Sequence, residues 1–170
     1  IGPNRIVRVV LRGGSGVLAY PILLVFPVLM VLAAARDVLS YTIPNWISLA
    51  LIAGFVVAAP VAGLGMHASL MHVAAGAAVL AVGFLLFAFR LVGGGDAKLL
   101  AAASMWLGFE QLLPFLLHTA VIGGGLALVL LMFRRLSSTI LIGHGWVQRL
   151  QAPESGIPYG VAIAGGALMS

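Results

Sequence analysis

The 170-residue chain is 62% hydrophobic and only 8% charged, with nine Lys and Arg against four Asp and Glu, and it has no cysteine. A soluble domain carries roughly 25% charged residues, so this composition excludes one, and the missing thiols exclude disulfides, thiolate metal sites and cysteine nucleophiles. The net charge of +5 does not indicate nucleic acid, because the bases sit near the ends of apolar runs instead of clustering on one face.

Residues 1–16 stand apart as a basic tail, with Arg5, Arg8 and Arg12 ahead of Gly13-Gly14-Ser15-Gly16. Without an initiator methionine, the tail reads as a cloning remnant or a misplaced start. From Val17 onward, the apolar runs can be measured against a hydrocarbon core of about 30 Å, which takes roughly 20 helical residues to cross. They predict an all-α integral membrane protein with about six transmembrane helices, forming one domain over residues 17–170. Four spans run from about Val17 to Arg36, Trp46 to Leu64, Ala68 to Arg90 and Leu112 to Phe133. Two shorter segments run from Asp96 to about Phe109 and from Pro158 to Ser170; neighbouring helices or a thinned bilayer can absorb such a mismatch.

Small residues inside the spans, at Gly123-Gly124-Gly125 and from Ala74 to Ala81, are expected to let helix backbones approach closely. No internal repeat of the kind that marks many transporters is visible. Arg36, the pair Arg90 and Lys98, and the group Arg134, Arg135 and Arg149 fall after the first, third and fifth spans. The opposite loops, Gly63 to His67 and Glu110-Gln111, carry no Lys or Arg. The positive-inside rule therefore makes the loops after the odd spans cytoplasmic, with only the tail arginines in disagreement.

That orientation puts two acids on one side of the membrane. Asp37 ends the first span in Arg36-Asp37-Val38-Leu39-Ser40-Tyr41-Thr42-Ile43-Pro44-Asn45, and Asp96 opens the fourth in Gly93-Gly94-Gly95-Asp96-Ala97-Lys98. Carboxylates at membrane depth are expensive and usually mark function. Singly, Asp96 reads as a helix N-cap and Asp37 as an interfacial charge. Together, in a chain whose other acids are Glu110 and Glu154, they read as a pair. Two carboxylates sharing a site hold one proton between them, so one can activate water while the other polarises an amide carbonyl. A helix N-terminus favours negative charge and a C-terminus disfavours it, which predicts Asp96 as the base and Asp37 as the acid.

Gly93, Gly94 and Gly95 permit tight turns and close approach of a substrate segment. Lys98, two positions from Asp96, points to another side of its helix and suits interfacial snorkelling or helix docking. Pro44 and Pro158 suit helix starts, Trp46 and Tyr159 suit the membrane interface, and Glu154 suits a solvated charge. His118 reads as a packed hydrogen-bonding residue. With His67, His72 and His144 it gives no metal-site spacing, so neither metal nor cofactor is expected. Ser104 has no acid and histidine near it in sequence for a triad.

Gly93-Gly94-Gly95-Asp96 fits GxGD, and Ala97-Lys98-Leu99 follows it. With Asp37 upstream, Ile43-Pro44-Asn45, and Ile157-Pro158-Tyr159-Gly160 near the C-terminus, the chain resembles the type IV prepilin peptidase family from about Leu18 to its end. That family shares GxGD with presenilin-like intramembrane proteases, and the short branch serving Flp-type, tight-adherence pili looks nearest. The resemblance implies that Asp37 and Asp96 are catalytic, with Gly93, Gly94, Gly95, Lys98, Pro44 and Asn45 shaping the loops or the substrate site. It implies an aspartic endopeptidase of the bacterial inner membrane that removes the basic leader of a prepilin at the cytoplasmic face. Its partners would be a prepilin, with a basic leader and an apolar helix, and membrane lipid; no nucleic acid is expected, and self-association stays open. The long members that also methylate the new N-terminus carry a cysteine-containing region that this sequence lacks, so peptidase activity without methyl transfer is expected. The alternative is a small cation- or proton-coupled transporter, disfavoured by the missing repeat and by acids at helix ends instead of the midplane.

Overall fold

A computed structural model of the protein describes residues 16–136 and 158–170. Most of the expected tail, together with His144, Arg149, Glu154 and Ile157, lies outside the described residues. Five helices and no strand form among the described residues: α1 Gly16–Ser40, α2 Asn45–Val61, α3 Met66–Ala88, α4 Gly94–Leu136 and α5 Tyr159–Met169. Helices are what such apolar runs must form in lipid, where every backbone N–H and C=O has to be satisfied internally.

Helix α4 is 43 residues long, about 65 Å if straight and so twice the hydrocarbon thickness. It is broken at Gly108, whose φ of 69° and ψ of 176° suit a residue without a Cβ. The break creates two arms, 94–107 and 109–136, and falls where the sequence separates its fourth and fifth segments. His72 of α3 supports it: a Cβ on Gly108 would lie 2.8 Å from the His72 ring. The ring's Nδ1 donates to the Met105 carbonyl at 2.9 Å, in the turn before the break, where carbonyls lose their helical donors.

The first arm of α4 lies between α3 and α2, while the second arm packs on α5; α1 closes the bundle against α2 and α5. Trp106 stacks on Phe26 with centroids 5.2 Å apart and meets Phe55 edge to face at 6.0 Å, joining α1, α4 and α2, and Trp106 Nε1 donates to the Leu51 carbonyl at 2.8 Å. Small side chains are also packed inside, where Ala75, Ala103 and Ala162 are fully buried beside larger ones such as Met30, Leu51, Leu99 and Phe115. Many other large apolar residues face outward, with Val121 74% and Leu113 67% exposed. Water would not tolerate so much contiguous apolar surface, but lipid would, and small residues at helix contacts are the membrane pattern. Two helices, Met66–Ala88 and Gly94–Phe133, are long and apolar enough to cross a bilayer, and Asn45–Val61 and Tyr159–Met169 are shorter apolar helices. The protein is thus an all-helical membrane protein; the expected count of about six crossings rests on the sequence pattern.

The expected glycine contacts are realised selectively. Gly123 lies against Tyr159 and Ala162, whereas Gly124 and Gly125 have nothing within 4 Å. Within the Ala-rich run, Gly76 packs closely on α4, where a Cβ would sit 2.9 Å from Met105 Cβ and 3.0 Å from the Ala101 carbonyl oxygen. Gly76→Val is therefore expected to destabilise the bundle by about 1–3 kcal/mol, the usual cost of overpacking. Thermal unfolding in detergent measures it, and an unchanged midpoint would show that α3 and α4 are not in this contact.

Candidate active site

The two aspartates come to one end of the bundle by different routes. Asp37 lies in the last turn of α1 and is only 5% exposed. Its carboxylate accepts the backbone N–H of Gly160 at 2.6 Å. Gly160 is in the first turn of α5, where amide hydrogens have no intrahelical acceptor and the helix dipole is positive. Asp37 thus caps a helix 123 residues away in sequence. The contact requires glycine, since a Cβ at position 160 would lie 2.8 Å from Asp37 Oδ2 and 2.9 Å from Asp37 Cβ.

Asp96 is the third residue of α4 and accepts the backbone N–H of Gly93. This is the backward half of a capping box, so the cap role expected of Asp96 exists, exercised from the third helical position and not from the N-cap. Both carboxylates therefore sit at the positive end of a helix. The electrostatic contrast that made Asp96 the base and Asp37 the acid depended on each residue's own helix, and α5 removes it.

The glycine loop is held against the Ile43-Pro44-Asn45 link. A Cβ on Gly95 would lie 3.2 Å from Ile43 Cβ, so the two motifs touch. Pro44 is the N-cap of α2, with φ −63° and ψ 139°, the extended geometry that proline favours. Lys98 Nζ donates to Asn45 Oδ1 at 3.0 Å, tying the start of α4 to the start of α2. That is the helix-docking role expected of Lys98. Lys98, Pro44 and Asn45 shape the link but do not line the cavity between the aspartates.

That cavity has a volume of about 1050 Å³ and is walled by Asp37, Gly93, Gly94, Gly95 and Asp96 together with Tyr159 and with residues the sequence did not single out. Tyr41 and Thr119 are among these. Tyr159, expected as an interfacial aromatic, packs on Gly123 and forms part of the wall. Asp37 and Asp96 thus face the same cavity from the ends of two different helices. The Ser104 hydroxyl, fully buried, donates back to the Leu100 carbonyl at 2.8 Å and is occupied structurally.

Residues 24–128 match the family model of the type IV leader peptidase family. The chain belongs to the type IV leader peptidase family. The family match covers Asp37, the Ile43-Pro44-Asn45 link and the whole glycine loop with Asp96. It ends ahead of α5, so the leader peptidase match does not include the helix whose Gly160 amide holds Asp37. No curated protein and no solved structure matches the chain.

Proposed function

We propose that this protein is an aspartic endopeptidase that removes the basic leader of Flp-type prepilins at the cytoplasmic face of the bacterial inner membrane. The observation that carries the reading is the meeting of Asp37 and Asp96 in one cavity of a leader peptidase family chain. Like charges close together resist joint ionisation, so the pair shares one proton and titrates as a unit. As the water oxygen bonds to the scissile carbonyl carbon, the ionised carboxylate takes a water proton and the protonated carboxyl gives its own to the carbonyl oxygen. The resulting diol collapses and the C–N bond breaks as the departing nitrogen takes a proton from the carboxyl that received it, while a diol hydroxyl returns its proton to the other carboxylate and restores the one-proton pair. Peptide and water become acid and amine, and the chemistry calls for no nucleophilic side chain and no cofactor.

The sidedness is supported by Arg36, Arg90 and Lys98, which lie at the same end as the cavity or beside it, as the positive-inside rule requires of a cytoplasmic face. The cavity opens among helix ends, where an extended leader junction can enter while the prepilin's apolar helix stays in lipid. Methyl transfer is not part of the proposal. The test is to incubate the purified protein with prepilins from its own genome and to locate the new N-terminus by mass spectrometry. One cut between the basic leader and the apolar helix is expected; intact prepilins under conditions where another leader peptidase cuts them would reject the reading.

A further inference from the structure

Tyr41 closes α1 in a left-handed conformation, φ 52°, with its N–H donating to the Asp37 carbonyl at 2.8 Å. A helix closed this way usually has glycine at that position, because a bulky side chain with positive φ is strained. The chain has 22 glycines and places none of them here. Strain of this kind persists where the surrounding structure needs the side chain, and it gathers at functional sites. The Tyr41 side chain lines the cavity that holds Asp37 and Asp96.

Its hydroxyl is buried yet has no hydrogen-bond partner among the described residues. A buried phenol normally finds one, so an orphan requires an explanation. Thr119 Oγ1, in the same wall, is also buried without a partner, but it lies tightly against Gly166, and close helix packing accounts for its position. The Tyr41 hydroxyl is left as an unpartnered donor on a residue of the cavity wall. A substrate group would complete it, and in a peptide the group that accepts from a phenol is a carbonyl oxygen.

We propose that Tyr41 is a further catalytic residue whose hydroxyl donates a hydrogen bond to the scissile carbonyl oxygen and holds it through the tetrahedral state. The inference rests on the peptidase reading. During addition the carbonyl π pair moves onto that oxygen, which takes its proton from the protonated aspartic acid; Tyr41 keeps its own proton and supplies only the hydrogen bond. A neutral, prepositioned donor stabilises the developing negative charge in a site whose carboxylates would otherwise repel it. Because the bond strengthens as charge develops, it acts on the transition state more than on substrate binding.

Tyr41→Phe keeps the ring and removes only the hydroxyl. In prepilin cleavage assays, kcat is expected to fall about a hundredfold, the scale of losing one such donor, with KM unchanged. The thermal midpoint in detergent is expected to stay level or rise, because an unpartnered buried hydroxyl has been removed. A Phe variant as fast as wild type, or one whose slower cleavage comes with a lower midpoint, overturns the inference while the peptidase reading stands on wild-type cleavage. Wild-type protein that cuts no prepilin defeats the reading and this inference with it.

Discussion

Replacing Asp37 or Asp96 with asparagine is expected to abolish leader cleavage, lowering kcat/KM by about 10⁴-fold or more, while the protein still inserts and folds. Asparagine keeps the size of aspartate and retains a side-chain oxygen, so it can still accept the Gly160 N–H at position 37 and the Gly93 N–H at position 96. It cannot take up or release a proton, so water activation or carbonyl protonation fails, depending on which member is changed. The folding consequence has the opposite sign. Relieving two neighbouring acids of their repulsion costs the fold nothing, and the thermal midpoint is expected to hold or rise, since catalytic sites commonly sacrifice stability. The double variant should be no slower than either single one, because the two groups act as a unit. Leader release followed by mass spectrometry, with a parallel unfolding curve, measures both quantities. Substantial cleavage by either single variant would remove that aspartate from the chemistry, and ion flux lost in both variants of a protein that never cuts prepilin would revive the transporter alternative.

The aspartates were legible because they are conspicuous: in a chain with four acids, two beside apolar runs and on one side by the distribution of arginine and lysine have few other readings. The division of α4 was legible for a similar reason, since Glu110 and Gln111 interrupt an apolar stretch, although the turn itself falls at Gly108. Other features depended on tertiary packing. A run such as Gly123-Gly124-Gly125 says that some backbone approaches another, but successive helical residues point about 100° apart, and which one faces α5 is decided by how the helices pack. The acid and base assignment loses its electrostatic basis for the same reason, because it counted only the dipole of each residue's own helix, and a segment read at Pro158 to Ser170 does not say which residue its first turn meets. Tyr41 was missed because the usual signal for a left-handed helix end is glycine or asparagine, and here a tyrosine takes that conformation.

The amide that holds Asp37 gives the sharpest test of the assembled site. Gly160→Ala is expected to slow cleavage at least about a hundredfold, because misplacing a reacting group by roughly 1 Å costs that much. The new Cβ would lie 2.8 Å from Asp37 Oδ2, 2.9 Å from its Cβ and 3.0 Å from its Cγ. Rotating the carboxylate away would relieve the first contact but not the second, since Asp37 Cβ is fixed to α1. Helix α5 must then move off α1, and its other side resists: Gly166 is packed on Thr119 and Gly165 on Ile122. Alanine favours a helix over glycine by at most about 1 kcal/mol, and less in a first turn, whereas overpacking costs about 1–3 kcal/mol, so the clash should win and the thermal midpoint should fall. Gly124→Ala is the matched control, with the same propensity gain and nothing within 4 Å to strike; it should keep wild-type cleavage and hold or raise the midpoint. If Gly160→Ala instead behaved like Gly124→Ala in both measurements, the Gly160 amide would not be holding Asp37 in the working enzyme, and α5 would have to be removed from the catalytic site.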